Sequence, residues 1–107
     1  MLNDWNWEKV CDFQYELKDT SGEVVAFLYH SFEDEWYCKF LNYHCGGIFF
    51  GNFEGIKNGE EAVWQATIWI YRTCNKIANS YHHIRDHLPS LAILRERSEA
   101  NNENLHF

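Results

Sequence analysis

The sequence predicts an α+β domain: an antiparallel β-meander of three to five strands, then a long helix packed on the sheet and a shorter C-terminal helix. Apolar residues alternate with period two through the first half and recur every three or four residues after Asn58-Gly59. The single proline, Pro89, divides the helical half. With 107 residues, no linker-like tract and no internal repeat, the chain reads as one domain, 1–107.

From Trp5 to Leu17 the odd positions read Trp5, Trp7, Lys9, Cys11, Phe13, Tyr15 and Leu17, while acidic residues fall on the even ones. That alternation predicts one strand, or two collinear short strands, with a buried face and an acidic face. Asp19-Thr20-Ser21-Gly22 supplies a hairpin turn, Gly22 being free to take a positive φ. The next arm, Glu23 to Ser31, is apolar on both faces, as a central strand covered on both sides would be. An acidic turn, Phe32-Glu33-Asp34-Glu35, leads into a third arm from Trp36 to His44. Cys45-Gly46-Gly47 breaks it, and Ile48 to Phe53 reads as a short further strand.

Beyond Asn58 a helix is predicted from about 59 to 87, its buried stripe running through Val63, Ala66, Thr67, Ile70, Cys74, Ile77, Tyr81, Ile84 and Leu88. Asn58 suits the N-cap, and Glu60 and Glu61 suit the positive end of the helix dipole. Pro89 stops this helix. Ser90 then caps a shorter one through Leu91, Ile93 and Leu94, after which Arg95 to Asn104 is polar. Trp64, Ile68 and Tyr71 form a second apolar stripe on the long helix, wider than one sheet needs. The stripe calls for a symmetric dimer, a protein partner, or coverage by the C-terminal helix. The sheet's second face poses the same demand.

Charge narrows the partner. The chain carries a formal charge of −7 and is 18% aromatic, a combination that repels nucleic acid and anionic membrane while favouring protein recognition. Arg72, Lys76, Arg85, Arg95 and Arg97 are scattered through the helical half, so no basic groove accompanies the aromatic strands. The acidic groups crowd into the first third, which steers toward a protein with a basic surface, such as the nucleic-acid channel of another protein. Glu33, Asp34, Glu35 and Trp36 at an exposed turn, with Trp64, Ile68 and Tyr71 on the helix, are the expected partner-binding residues. The rival reading makes the acidic face a solubilising one.

The N-terminus lacks a basic, apolar leader, and the longest apolar stretch, Ala62 to Tyr71, is too short to span a bilayer. Four cysteines without a leader predict reduced thiols and a cytoplasmic location. Cys38, His44, Cys45, His83 and His87 are candidate zinc ligands, but no spacing among them is that of a zinc motif, and neither metal nor other cofactor is expected. Cys45 with His44 as base and Gly46-Gly47 as oxyanion loop is disfavoured as a catalytic unit, because neighbouring residues at a strand end point to opposite faces. Glu33 with Glu35, and Glu60 with Glu61, are explained by turn solvation and helix capping rather than acid–base work. No phosphate-binding glycine motif occurs.

Phe13-Gln14-Tyr15-Glu16-Leu17-x-Asp19-x-x-Gly22 runs into Val24-Val25-Ala26, a Trp-bearing strand, a Gly-bounded strand and a Glu60-Glu61-Ala62 helix start. In layout this resembles small phage or mobile-element accessory proteins, among them anti-CRISPR inhibitors. The resemblance implies inhibition by occupying a nuclease or its complex, without chemistry. The sequence thus reads as a non-enzymatic inhibitor or adaptor; the alternatives are a homo-oligomeric structural domain and a small Cys/His metal-dependent regulator or enzyme.

Overall fold

In the computed structural model, residues 3–31, 35–42, 47–76 and 81–104 are described. Five strands, β1 (Asn6–Cys11), β2 (Gln14–Lys18), β3 (Val24–His30), β4 (Trp36–Asn42) and β5 (Gly47–Phe53), form one antiparallel sheet in the order β1-β2-β3-β4-β5. Helices α1 (Gly59–Asn75), α2 (Tyr81–His87) and α3 (Leu91–Asn104) follow. The predicted α+β meander is therefore the observed fold.

Two predicted elements divide differently. The segment from Trp5 to Leu17 is neither one strand nor two collinear ones: the chain reverses at Asp12-Phe13, and β1 folds back on β2. Trp7 pairs with Leu17 and Lys9 with Tyr15, so away from the turn odd residues face odd residues, although Cys11 pairs with Gln14 beside it. Val10 is the extra residue of a bulge between Lys9 and Cys11. The expected helix over 59–87 ends at Asn75, where the Lys76 N–H turns back to the carbonyls of Cys74 and Thr73. Thr73, Asn75, Asn79 and Ser80 are weak helix formers, which favours a stop here although the three-to-four spacing carries on to Ile84. α2 is thus a separate helix, packed back on α1.

Turn and cap chemistry acts as expected elsewhere. The Asp19 carboxylate accepts hydrogen bonds from the Ser21 N–H (2.9 Å), the Ser21 hydroxyl (2.7 Å) and the Glu23 N–H (3.0 Å), while Gly22 takes φ +88°. These bonds hold the Asp19 carboxyl below its ordinary range. At the start of α1 the Asn58 side chain accepts from the Glu61 N–H (2.8 Å), and the Glu61 carboxylate in return accepts from the Lys57 N–H (2.8 Å).

The core lies between one face of the sheet and α1. Tyr15, Leu17, Ala26, Leu28, Trp36, Cys38 and Phe40 meet Ala62, Val63, Ala66, Ile70 and Cys74. Thr67, fully buried, accepts a hydrogen bond from the Trp7 indole N–H (2.9 Å) and donates to the Val63 carbonyl (2.7 Å), so its hydroxyl is satisfied while β1 is tied to the helix. Ile84 and Leu88 complete the core from α2 and its exit. α3 packs chiefly on α1 through Leu94 and Ser98.

The N-terminal residues are clasped to the far end of the chain. The Asn3 N–H donates to the Asp86 carbonyl (2.6 Å), its side-chain amide to the Leu88 carbonyl, and the Trp5 N–H to the His87 carbonyl (2.9 Å). The Trp5 ring stacks on the His87 imidazole at 5.6 Å, and the Asp4 carboxylate contacts the His87 Nδ1. That hydrogen bond holds the Asp4 carboxyl below its ordinary value. A depressed folded-state pKa contributes stability above the unfolded value, about 3.9, and loses it as pH falls through the folded value. Asp4→Asn is therefore expected to lower the urea midpoint at neutral pH, with the gap to wild type narrowing below about pH 4. A gap that stays constant between pH 7 and pH 3 would remove the clasp's electrostatic part.

Candidate functional site

Side chains alternate across the sheet, so burying one face under α1 leaves the other to be accounted for. Register places Glu8, Glu16, Phe27, Lys39 and Phe50 in one row across the uncovered face, and Gln14, Tyr29, Tyr37 and Asn52 in the next. Leu41 and Ile48 pair beyond them. Tyr29 is 42% exposed, Ile48 55% and Phe50 72%. Phe27, Tyr37 and Lys39 are half-buried by their neighbours. Gln14, Phe27, Tyr29 and Lys39 line an open depression of about 280 Å³ at the centre.

The aromatic groups here are held in place. Tyr29 and Tyr37 stack at 5.6 Å with an interplanar angle of 24°, and the Tyr37 hydroxyl donates to the Glu35 carboxylate (2.8 Å). Such rigid rings lose little conformational freedom when covered, which suits a contact surface. Around them sit Glu8, ion-paired to Lys18 (2.8 Å), and Glu16 and Lys39, which have no ion-pair partner among the described residues. The Glu8 carboxylate raises the Lys18 ammonium above its ordinary value.

The partner residues expected from sequence fare differently. Trp36 is not an exposed anchor: it is 5% exposed, stacked on His30 at 5.0 Å and tilted against Tyr15 at 6.0 Å. Its place in β4 puts it on the same side as Cys38 and Phe40, toward α1. Glu35 stands at the turn, where its carbonyl accepts from the Ser31 N–H (2.8 Å); Glu33 and Asp34 lie outside the described residues.

Trp64, Ile68 and Tyr71 are half-buried, and Trp64 and Tyr71 meet other parts of the chain. The Arg95 guanidinium of α3 lies 5.9 Å over the Trp64 ring, and the Tyr71 hydroxyl is 3.4 Å from the Pro89 carbonyl oxygen and 3.5 Å from that of Arg85. The C-terminal segment thus covers part of the stripe at Trp64 and Tyr71.

The Cys/His set is not assembled among the described residues. Cys38 is buried under α1, and burial pushes its thiol pKa far up, so it carries no thiolate at neutral pH. His87 is engaged by Asp4 and Trp5. His44 and Cys45 lie outside the described residues, as does the side chain of His83. No group of three or more His, Cys, Asp or Glu side chains placed to hold a metal occurs among the described residues. A second cleft, about 120 Å³, opens between β1, β2, α1 and α3, where Lys9, Glu60 and Arg97 surround Trp7 and Tyr15. It is well below the roughly 300 Å³ at which small-molecule pockets begin. Among the described residues, no helix is long and apolar enough to cross a membrane.

The open face was half legible in the sequence. Phe27, Tyr29 and Tyr37 betray it by making central strands apolar on both sides, whereas nothing local marks Phe50 as exposed and Phe49 as packed on the core. The chain matches no known family model, no curated protein and no solved structure.

Proposed function

We propose that this is a non-enzymatic protein-binding domain, an inhibitor or adaptor whose contact area is the open aromatic face of the sheet. The observation that carries the reading is that face: Tyr29, Ile48 and Phe50 exposed together, around a central depression, with rigid stacked rings beside them. A formal charge of −7 adds long-range attraction to a basic partner, raising the association rate while the rings slow dissociation. In its finer form the reading puts the domain in the cytoplasm against a protein that holds nucleic acid, such as a defence nuclease, because an acidic domain competes for the same basic surface.

A photo-crosslinking side chain in place of Phe50, compared with one in place of exposed Arg97 on α3, tests this in lysate of the native host. A protein adduct formed from position 50 and not from position 97 is the expected result. Equal yields from both positions, or no protein adduct from position 50, would sink the reading.

A further inference from the structure

We propose that, in the free protein, a second copy of this chain covers the open sheet face, forming a two-fold dimer with its axis parallel to β3. The inference rests on the reading of that face as a protein-docking surface and names its occupant.

The argument is the order of charges across the sheet. Glu16 and Lys39 flank Phe27 on neighbouring strands, each one strand spacing away. Their backbones are thus about 9.6 Å apart with an aromatic ring between them. Neither has an ion-pair partner among the described residues. A half-turn about an axis lying in the interface along β3 exchanges the two flanks. It sets Glu16 against the second copy's Lys39, and Lys39 against the second copy's Glu16. Phe27 then meets Phe27 and Tyr29 meets Tyr29 on the axis, while Gln14 faces the second copy's Tyr37. The same operation keeps the strands of the two sheets nearly aligned, as face-to-face sheets prefer. An axis across the strands would instead bring Glu16 against Glu16 and Lys39 against Lys39, so charge selects the first.

Size sets the strength. Five strands at about 4.8 Å spacing and some six residues of each give roughly 400 Å² of plan area per copy. The total, on the order of 800 Å² or somewhat more, lies at the small end of specific interfaces. The dimer is accordingly weak and reversible, with a Kd of roughly 10–100 μM.

Sedimentation velocity from about 5 μM to 500 μM is the test, the mass rising from 12.8 kDa toward twice that value. Glu16→Lys and Lys39→Glu alone should each raise Kd roughly tenfold or more, because each replaces two attractive contacts by two repulsive ones. The double variant restores the original pairing with its signs exchanged and should return Kd to near the wild-type value. Both side chains are half-buried on the open face, and the double variant doubles as the folding control. A monomer at every concentration overturns the proposal, as does a dimer indifferent to the single reversals, or single-variant losses that the double variant fails to restore. A monomer that still crosslinks to another protein from position 50 would refute the dimer and leave the docking surface standing.

Discussion

Phe40→Ala is expected to lower the unfolding free energy by about 3–5 kcal/mol, the range for removing a buried aromatic side chain from a core that relaxes only in part. Phe40 is 1% exposed, pairs with Ala26 on one side and Phe49 on the other, and meets the Trp69 ring edge-on at 6.5 Å. Against a total of some 5–15 kcal/mol for a domain of this kind, that loss is a large share. Phe50, on the adjacent strand but on the opposite face, supplies the control. Phe50→Ala should change stability by no more than about 0.5 kcal/mol at low micromolar protein, below the Kd proposed for the dimer. Urea unfolding of the two variants reads the difference directly. Similar losses for both would show that the face under α1 and the open face have been interchanged.

Gly51→Ala is the second large effect, and its sign depends on one neighbour. A strand-interior glycine is ordinarily worse than alanine by roughly 0.5–1 kcal/mol, so the substitution would be expected to stabilise. Here an added Cβ would lie 2.6 Å from Cε2 of Trp69, which rests on the bare backbone of β5. The indole has little freedom to withdraw, being met edge-on by Phe40 and, at 6.2 Å, by Phe53. Overpacking of this kind costs about 1–3 kcal/mol. In a Trp69→Ala background the same change should become neutral or stabilising, and a double-mutant cycle measures the reversal. A Gly51→Ala cost that persists without the indole would place the strain in the backbone.

These two sites also mark where the sequence speaks and where it falls silent. Period two gave the strands, and Asn58, Gly22 and Pro89 gave correct boundaries, because caps and turns are short-range chemistry. The reversal at Asp12-Phe13 escaped because the Val10 bulge restores odd residues opposite odd ones at Lys9 and Trp7, which leaves the pattern of a continuous strand. The break after Asn75 escaped for the converse reason: Cys74 and Ile84 both reach the core, one on each side of it. Trp36 was misplaced because proximity to an acidic turn outweighed its parity with Cys38 and Phe40. Trp64 and Tyr71 needed α3 and Pro89 to be in place, contacts no local window contains.

The clasp of Asn3, Asp4 and Trp5 on residues 86–88 bears on the order of events during synthesis. Each β-pairing joins strands adjacent in sequence, so the meander closes over short loops and these contacts can form while the chain is still emerging. Its first residues, however, have their partners some 83 to 85 positions downstream. Until those positions leave the ribosome, Trp5 has no ring to stack on and the Trp7 indole waits for Thr67. The nascent sheet is left with an unfastened edge strand for most of translation. Completion of α2, rather than of the sheet, is then the event that locks the amino terminus, and a ribosome-bound chain ending before residue 81 should expose its N-terminal segment to protease.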